Sequence, residues 1–237
     1  MASLKEGYSE EYKCTCLGLS LAIMLFSPNL VECVGSCLPQ SDATVSIVAC
    51  YAAFLALAYV AGITIDGIVP YSAKDWLLYP TFRGRGLQRP GCSIFKKIGS
   101  GKAKDFRFVS DSARKKYSDQ IAIASEKDAT ESALFQNAEW YKLYRKHSTT
   151  PSVQSNNLGH LYSRDVFMLS FVLLLLGILC DAACALMGAP LLIGAGSMVC
   201  LLAVAVASWV SARWKAKRLV LTVVACDVAA DEEGEER

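Results

Sequence analysis

The sequence predicts an all-α integral membrane protein, with four transmembrane helices and a mostly helical cytoplasmic insert between helices 2 and 3. Three observations predict it. Of 237 residues, 53% are apolar and only 19% charged, against roughly 45–50% and about 25% in soluble domains. The mean hydropathy is +0.32. Nearly all charge falls between residues 70 and 164 or at the two ends, which leaves two long apolar blocks.

A transmembrane helix takes about 20 mostly apolar residues, because lipid offers no partner to an unpaired backbone group. Four segments meet that requirement. Span one, residues 16–38, carries LGLSLAIMLF, then a break at Ser27-Pro28-Asn29 that predicts a kink, then Glu32 in its second half. A cleaved leader is the competing reading there, and Val34-Gly35-Ser36-Cys37 faintly resembles a lipoprotein cleavage box. Against it, residues 1–13 set Lys5 and Lys13 beside Glu6, Glu10 and Glu11, which is not a basic leader region. Span two, residues 45–69, is apolar apart from Ser46, Tyr51, Tyr59, Thr64 and Asp66, and Pro70 closes it. Span three, residues 165–187, contains FMLSFVLLLLGILC. Span four, residues 191–212, follows after only Gly188, Ala189 and Pro190, a turn that predicts an antiparallel hairpin.

The basic residues orient these spans. Of the 24 Lys and Arg, two precede span one, 17 lie in 70–164 and five follow residue 212; 39–44 and 188–190 hold none. Basic residues gather on the cytoplasmic side of a membrane. The expectation is therefore a cytoplasmic N-terminus (1–15), a basic cytoplasmic domain (70–164) and a cytoplasmic C-terminal tail (213–237). Trp76, Tyr79, Trp209 and Trp214 sit where interfacial aromatics belong.

Within the insert, residues 72–79 read as an interfacial helix, and Pro80 to Ser110, Gly-rich and basic, as loop. Asp111 to His147 reads as helical, with a patchy apolar face and Asp111 or Ser112 as cap. Ser148 to Pro151 breaks it, and a last helix runs from about Ser152 into span three. Segment 83–116 holds eleven Lys or Arg against Asp105 and Asp111, a net +9. Arg83, Arg85, Arg89, Lys96, Lys97, Lys102, Lys104 and Arg107 are its lipid- or ligand-binding candidates. Anionic inner-leaflet lipid is the first expected partner, at roughly 1 kcal/mol per basic side chain. A nucleotide or a soluble cytoplasmic protein is the other. The acidic C-terminal DEEGEER complements this stripe and is expected to fold back on it.

No catalytic motif survives inspection. Ile98-Gly99-Ser100-Gly101-Lys102-Ala103 imitates a phosphate loop, but Lys96 stands where the first glycine is needed and Ala103 where the magnesium-binding Ser or Thr belongs. The only histidines, His147 and His160, are thirteen residues apart and Cys92 is the sole cysteine of the insert, so no metal site is expected. No nucleophile and base pair is visible. The chain is expected to be neither an enzyme nor a cofactor protein.

The polar residues inside the spans are more informative, because an ionisable group at the bilayer centre costs about 2.5–3.5 kcal/mol. Asp66 reaches interfacial water at its span's end. Glu32 and Asp181 each fall five residues past the midpoint of their spans, so a shared depth is expected for them, with Asn29 nearby. They form either a polar pathway or hydrogen bonds within one subunit. Cys33 and Cys37, and Cys180 and Cys184, are i, i+4 pairs beside them. A disulfide between the two pairs is one reading, packing as small hydrophobes a second, and metal or redox sensing a third. In span four, Gly196, Cys200, Ala203, Ala207 and Ser211 form a stripe of small residues that permits close helix approach.

Two functional classes follow. The first is an oligomeric channel or pore-like effector gated through the basic cytoplasmic region, its carboxylates repeated as a ring in a homo-oligomer. The second is a non-conducting membrane sensor or scaffold that docks a soluble partner. In layout, though not in motif, the chain resembles small membrane components of bacterial defence operons.

Overall fold

The computed structural model describes residues 12–19, scattered positions between 21 and 68, and residues 69–80, 89–100 and 111–235. Among these residues every regular element is helical and no strand occurs. The helices are α1 (Tyr71–Leu78), α2 (Ile94–Ser100), α3 (Asp111–Lys116), α4 (Ser118–Glu126), α5 (Ala129–His147), α6 (Pro151–Leu186) and α7 (Ala195–Glu235). A 3₁₀ turn, Pro90–Ser93, leads into α2. Two helices, α6 and the Ala195–Asp231 part of α7, are long and apolar enough to cross a membrane. Spans one and two lie largely outside the described residues.

The chain divides into two compact units. Unit 1 is Met1–Pro70 with Tyr162–Ser211, and unit 2 is Tyr71–Leu161 with Ala212–Arg237. Both long helices contribute residues to each unit, as their length allows. The 36 residues of α6 rise about 54 Å at 1.5 Å per residue, well beyond the ~30 Å of a bilayer core.

In unit 1 residues 12–19 are helical, and Cys16, Leu19, Ile23 and Leu30 bury against Leu169 of α6 and Leu201 of α7. The spacing of Cys16, Leu19 and Ile23 puts them on one helical face. The hairpin turn differs from expectation. It was expected at 188–190 but occupies 187–194, so α7 starts at Ala195 rather than Leu191. Gly188, at φ +68°, supplies the left-handed residue that ends α6, and Ala189 N–H donates back to the Cys184 carbonyl at 2.9 Å.

Unit 2 is held by apolar faces the sequence reading left out. Ile94, Phe95 and Ile98 make α2 a buried helix inside the segment expected to be loop; they cluster with Ala113, Tyr117, Val220 and Val224. Glycines and lysines suggested a loop, yet an i, i+1, i+4 apolar triplet is enough when a partner face exists. The region expected as one helix over 111–147 is three. Tyr117, at φ −101° and ψ 21°, separates α3 from α4, and Asp128 starts α5 by accepting from Thr130 N–H and Glu131 N–H, both at 2.8 Å. Gln136 ties three pieces together. Its Oε1 accepts from Lys96 N–H at 3.1 Å and its Nε2 donates to Ser132 Oγ, which donates to the Ala124 carbonyl at 2.6 Å.

The segment expected as a C-terminal tail is the second half of α7. Leu219, Val220, Val223 and Val224 are buried, with Val153 of α6 against Leu219 and Val223. Apolar burial of this size outweighs the basic run Arg213–Arg218 that had marked the span's end.

Candidate functional site

Two features of unit 2 bring polar side chains together. The first centres on Asp227, one helical turn past the buried Val223 and Val224. Its carboxylate is 2% exposed. Oδ1 accepts from Lys146 Nζ at 2.8 Å and His147 Nε2 at 2.9 Å, and Oδ2 from Tyr117 O–H at 2.7 Å and Lys116 Nζ at 2.5 Å. Lys116 Nζ also donates to the Asp227 carbonyl and pairs with Asp231 at 2.6 Å. The end of α3, the end of α5 and the C-terminal part of α7 thus meet on one carboxylate. Burial pushes the Asp227 carboxyl up, but hydrogen bonds from Lys116, Lys146, His147 and Tyr117 outweigh it and hold the group well below the carboxylate range. Burial, then the hydrogen bond to Asp227, pushes the Tyr117 phenol far up. For Lys116 burial acts downward, and the two aspartates reverse it and raise the ammonium. The Asp231 contact places one acid of DEEGEER on Lys116, the last cation of the basic stripe.

The second feature is a cavity of about 260 Å³ in the same unit. Its wall is built from α1 (Asp75) and the adjoining Tyr79, the 3₁₀ turn with Arg89 before it (Pro90, Gly91), α5 (Asn137, Trp140, Tyr141, Tyr144), α6 (Asn157, His160) and α7 (Ala216, Leu219, Val220). Sequence accounts for this placement. Pro90 starts the turn, and Gly91 lets its backbone lie on the indole: a Cβ there would stand 3.1 Å from Trp140 Cε3 and from Asn137 Oδ1. The indole also stacks on Tyr144, with centroids 5.6 Å apart. Arg89 Nη2 pairs with Asp75 Oδ2 at 2.6 Å, the Arg213 guanidinium lies 5.6 Å from the Tyr79 ring centroid, and His160 Nδ1 donates to the Ala212 carbonyl at 3.0 Å.

Three polar atoms of this wall have no partner: Tyr79 O–H, Arg89 Nε–H and Trp140 Nε1–H. All three are buried donors, and among the described residues only one other side-chain atom, Gln120 Oε1, shares that condition. A buried donor without an acceptor costs about 1–3 kcal/mol, and all three belong to residues of this one wall. Tyr79 is protonated there. Burial raises its phenol to about 12, with Asp75 adding to the rise and Arg213 and Arg89 opposing it.

The residues singled out from sequence are distributed unevenly. Of the basic candidates, Arg89 lines the cavity, and Lys96 and Lys97 sit half-buried on α2; Arg83, Arg85, Lys102, Lys104 and Arg107 lie outside the described residues. In unit 1, Asn29 Nδ2 donates to the Leu191 carbonyl at 2.9 Å, Ile193 N–H donates to Asp181 Oδ1 at 2.8 Å, and Gly194 N–H donates to Ser27 Oγ at 3.1 Å. Asn29 and Asp181 therefore converge on the 191–194 turn, whereas Glu32 is exposed and joins neither. Cys180 and Cys184 are free thiols, and Cys33 and Cys37 lie outside the described residues. Along α7 the buried face is Ser197, Leu201, Ala205 and Ser208. The small-residue stripe runs beside it: Gly196, Ala203 and Ala207 are exposed, Cys200 and Ser211 half-buried, with Ser211 Oγ 3.1 Å from Ser163 Oγ.

Sequence reasoning missed Asp227, Tyr79 and Trp140. A signal for Asp227 was present: it is the one acid in the apolar run LVLTVVACDVAA, where an unpaired carboxylate has no place. Nothing in the sequence marked Tyr79 or Trp140 as orphaned donors, since that depends on who their neighbours are. Among the described residues no group of three His, Cys, Asp or Glu side chains stands ready for a metal. Comparison with protein-family models, curated proteins and solved structures returns no match.

Proposed function

We propose that the chain is a multi-pass membrane effector that works as a homo-oligomeric channel or pore and is controlled by a small ligand taken up in unit 2. The observation that carries this reading is the cavity whose lining residues Tyr79, Arg89 and Trp140 each hold an unpartnered buried donor, and to whose wall the two helices apolar enough to cross a membrane both contribute. Two further facts support the membrane half. The small-residue stripe of α7 is not the face used for burial within the chain, which leaves Gly196, Ala203 and Ala207 for a second copy. Glu32 is exposed, as a residue lining a shared aqueous path must be. The distribution of Lys and Arg favours unit 2 on the cytoplasmic side, beside the anionic inner leaflet.

Voltage-dye fluorescence of cells expressing the wild type, Glu32→Gln and Trp140→Phe at matched membrane abundance tests this. Depolarisation by the wild type is expected, reduced by Glu32→Gln through the conducting path and by Trp140→Phe through ligand control. Polarisation unchanged in all three counts against conduction. It favours the second reading, a non-conducting scaffold for a soluble protein. A specific observation supports that alternative: Leu134 and Tyr141, seven residues apart on α5, are 64% and 53% exposed.

A further inference from the structure

We infer that the turn joining α6 to α7 stays within the membrane as a lipid-contacting surface of the outer leaflet, resting on the membrane reading and orientation proposed above. Residues 185–191, Ala-Leu-Met-Gly-Ala-Pro-Leu, are all exposed, and none carries a polar side chain. Leu186 is 90% exposed and Met187 74%. A loop that meets water is built from polar residues, whereas an unbroken run of exposed apolar ones marks a surface with an apolar partner.

Three features make that partner lipid. The exposed apolar residues of the two helices, Leu176 and Leu179 on α6 and Val199 and Leu202 on α7, continue into the turn, and no Asp, Glu, Lys, Arg or His occurs between Asp181 and Arg213. Interfacial anchors mark only one end of the α7 span: Trp209, Arg213, Trp214 and Lys215 stand there, whereas 187–194 holds no aromatic or charged side chain. Length agrees. Measured from Arg213 back to Ala195, α7 rises about 27 Å, short of the ~30 Å hydrocarbon core, so the turn begins within the core rather than beyond it.

Non-helical backbone is tolerated at that depth only where protein supplies its hydrogen-bond partners, and here it does. Met187 N–H donates to the Ala183 and Cys184 carbonyls, Gly188 N–H to Ala185 and Ala189 N–H to Cys184, and Pro190 has no N–H to place. Ile193 N–H donates to Asp181 Oδ1, Gly194 N–H to Ser27 Oγ, and the Leu191 carbonyl accepts from Asn29 Nδ2. Ser27 and Asn29, at the break in span one, and Asp181 of α6 thus do for this turn what water does for an aqueous loop.

The test places p-benzoylphenylalanine at Met187, Leu191, Leu179 or Glu126, one position per chain, in the full-length protein reconstituted into phosphatidylcholine vesicles whose acyl chains carry an alkyne. Irradiation joins the probe to the C–H bonds against it. Leu179, 65% exposed on α6, reports the span, and Glu126, exposed on α4, reports water. Hydroxyl-radical oxidation of the wild type in the same vesicles gives a second measurement free of substitution, at Met187 against the 2% exposed Met168. Lipid adducts at Met187 and Leu191 are expected at the Leu179 level and several-fold above Glu126, with Met187 oxidised no faster than Met168. Adducts at Leu179 but not at Met187 or Leu191, with Met187 oxidised as in the denatured chain, overturn the inference and leave the span standing. Adducts that join two chains at Met187 or Leu191 overturn the lipid assignment and give the turn to a second copy. No lipid adduct at any position, Leu179 included, overturns the membrane reading as well.

Discussion

Replacing Asp227 with asparagine keeps the size of the side chain and removes its charge, and the cost can be worked from the four donors around it. Whichever way the new amide turns, its NH₂ faces groups that are themselves donors: Lys146 and His147 on one side, Tyr117 and Lys116 on the other. Lys146 is 57% exposed and returns to water at little cost. Lys116 keeps Asp231. The penalty therefore falls on Tyr117, which is buried, and His147, which is partly buried, donors whose acceptor is lost or weakened, at about 1–3 kcal/mol each. A total of about 3 kcal/mol follows, the lower end of what breaking a buried pair costs. For a unit of roughly a hundred residues this lowers the melting temperature by on the order of 10 °C. Hydrogen exchange of the full-length protein in detergent is the assay of choice, with peptides from 212–230 compared with peptides from 165–186. Protection should fall in the first set and hold in the second. A melting point within about 2 °C of wild type with unchanged exchange refutes the assignment of Asp227 as the fastening point of α7, and so does an equal loss in both sets.

The same cluster sets a pH window. Asp227 titrates lower in the folded chain than in the unfolded one, so its contribution is complete above about pH 4 and lost as pH falls through the depressed value. Lys116 and Tyr117 are raised, so theirs is complete below about pH 10 and lost as pH rises. Melting temperature of the wild type should be flat across that interval, and Asp227→Asn should remove the acid arm. Asp128→Ala, which deprives Thr130 and Glu131 N–H of their cap, should cost about 1 kcal/mol in chemical denaturation. Gly99→Ala brings a Cβ to 2.6 Å from Ile121 Cγ2, a stiff β-branched methyl, and should destabilise by about 1 kcal/mol net of the helix propensity gained. Because Cys180 and Cys184 carry free thiols, Cys37→Ser should leave mobility on a non-reducing gel unchanged; a shift abolished by that substitution restores the disulfide reading.

What was legible in the sequence was what depends on runs of similar residues. The apolar stretches of α6 and α7 stand out at a glance, as does the break at Ser148 to Pro151, because lipid or core solvation acts on segments rather than single residues. Elements that depend on a particular partner were hidden. Helix α2 has only three apolar side chains, Ile94, Phe95 and Ile98, and is helical because Val220 and Val224 lie against it. Residues 219–228 looked like a tail because Arg213–Arg218 ended the hydropathy window, although their apolar spacing continued. At the candidate site the basic stripe pointed to Arg89 by charge, but which donors lack acceptors is a property of packing. Asp181 shows the opposite case. It drew attention as a costly charge in a span, and its accepted bond from Ile193 N–H gives it a local structural duty at the hairpin turn.

The division of the chain at 161/162 and 211/212 has a consequence for biogenesis. Unit 2 is interrupted in sequence by the apolar hairpin of residues 162–211, and its core is closed by Leu219, Val220, Val223 and Val224. A ribosome that has made residues 71–161 has made something unfinished, with Ile94, Phe95 and Ile98 still waiting for their cover. Translation and placement of 162–211 must come first, so this unit cannot fold in the usual order of synthesis. Chains stalled or cleaved before residue 219 should therefore leave Ile94, Phe95 and Ile98 uncovered and be cleared in cells faster than the full chain.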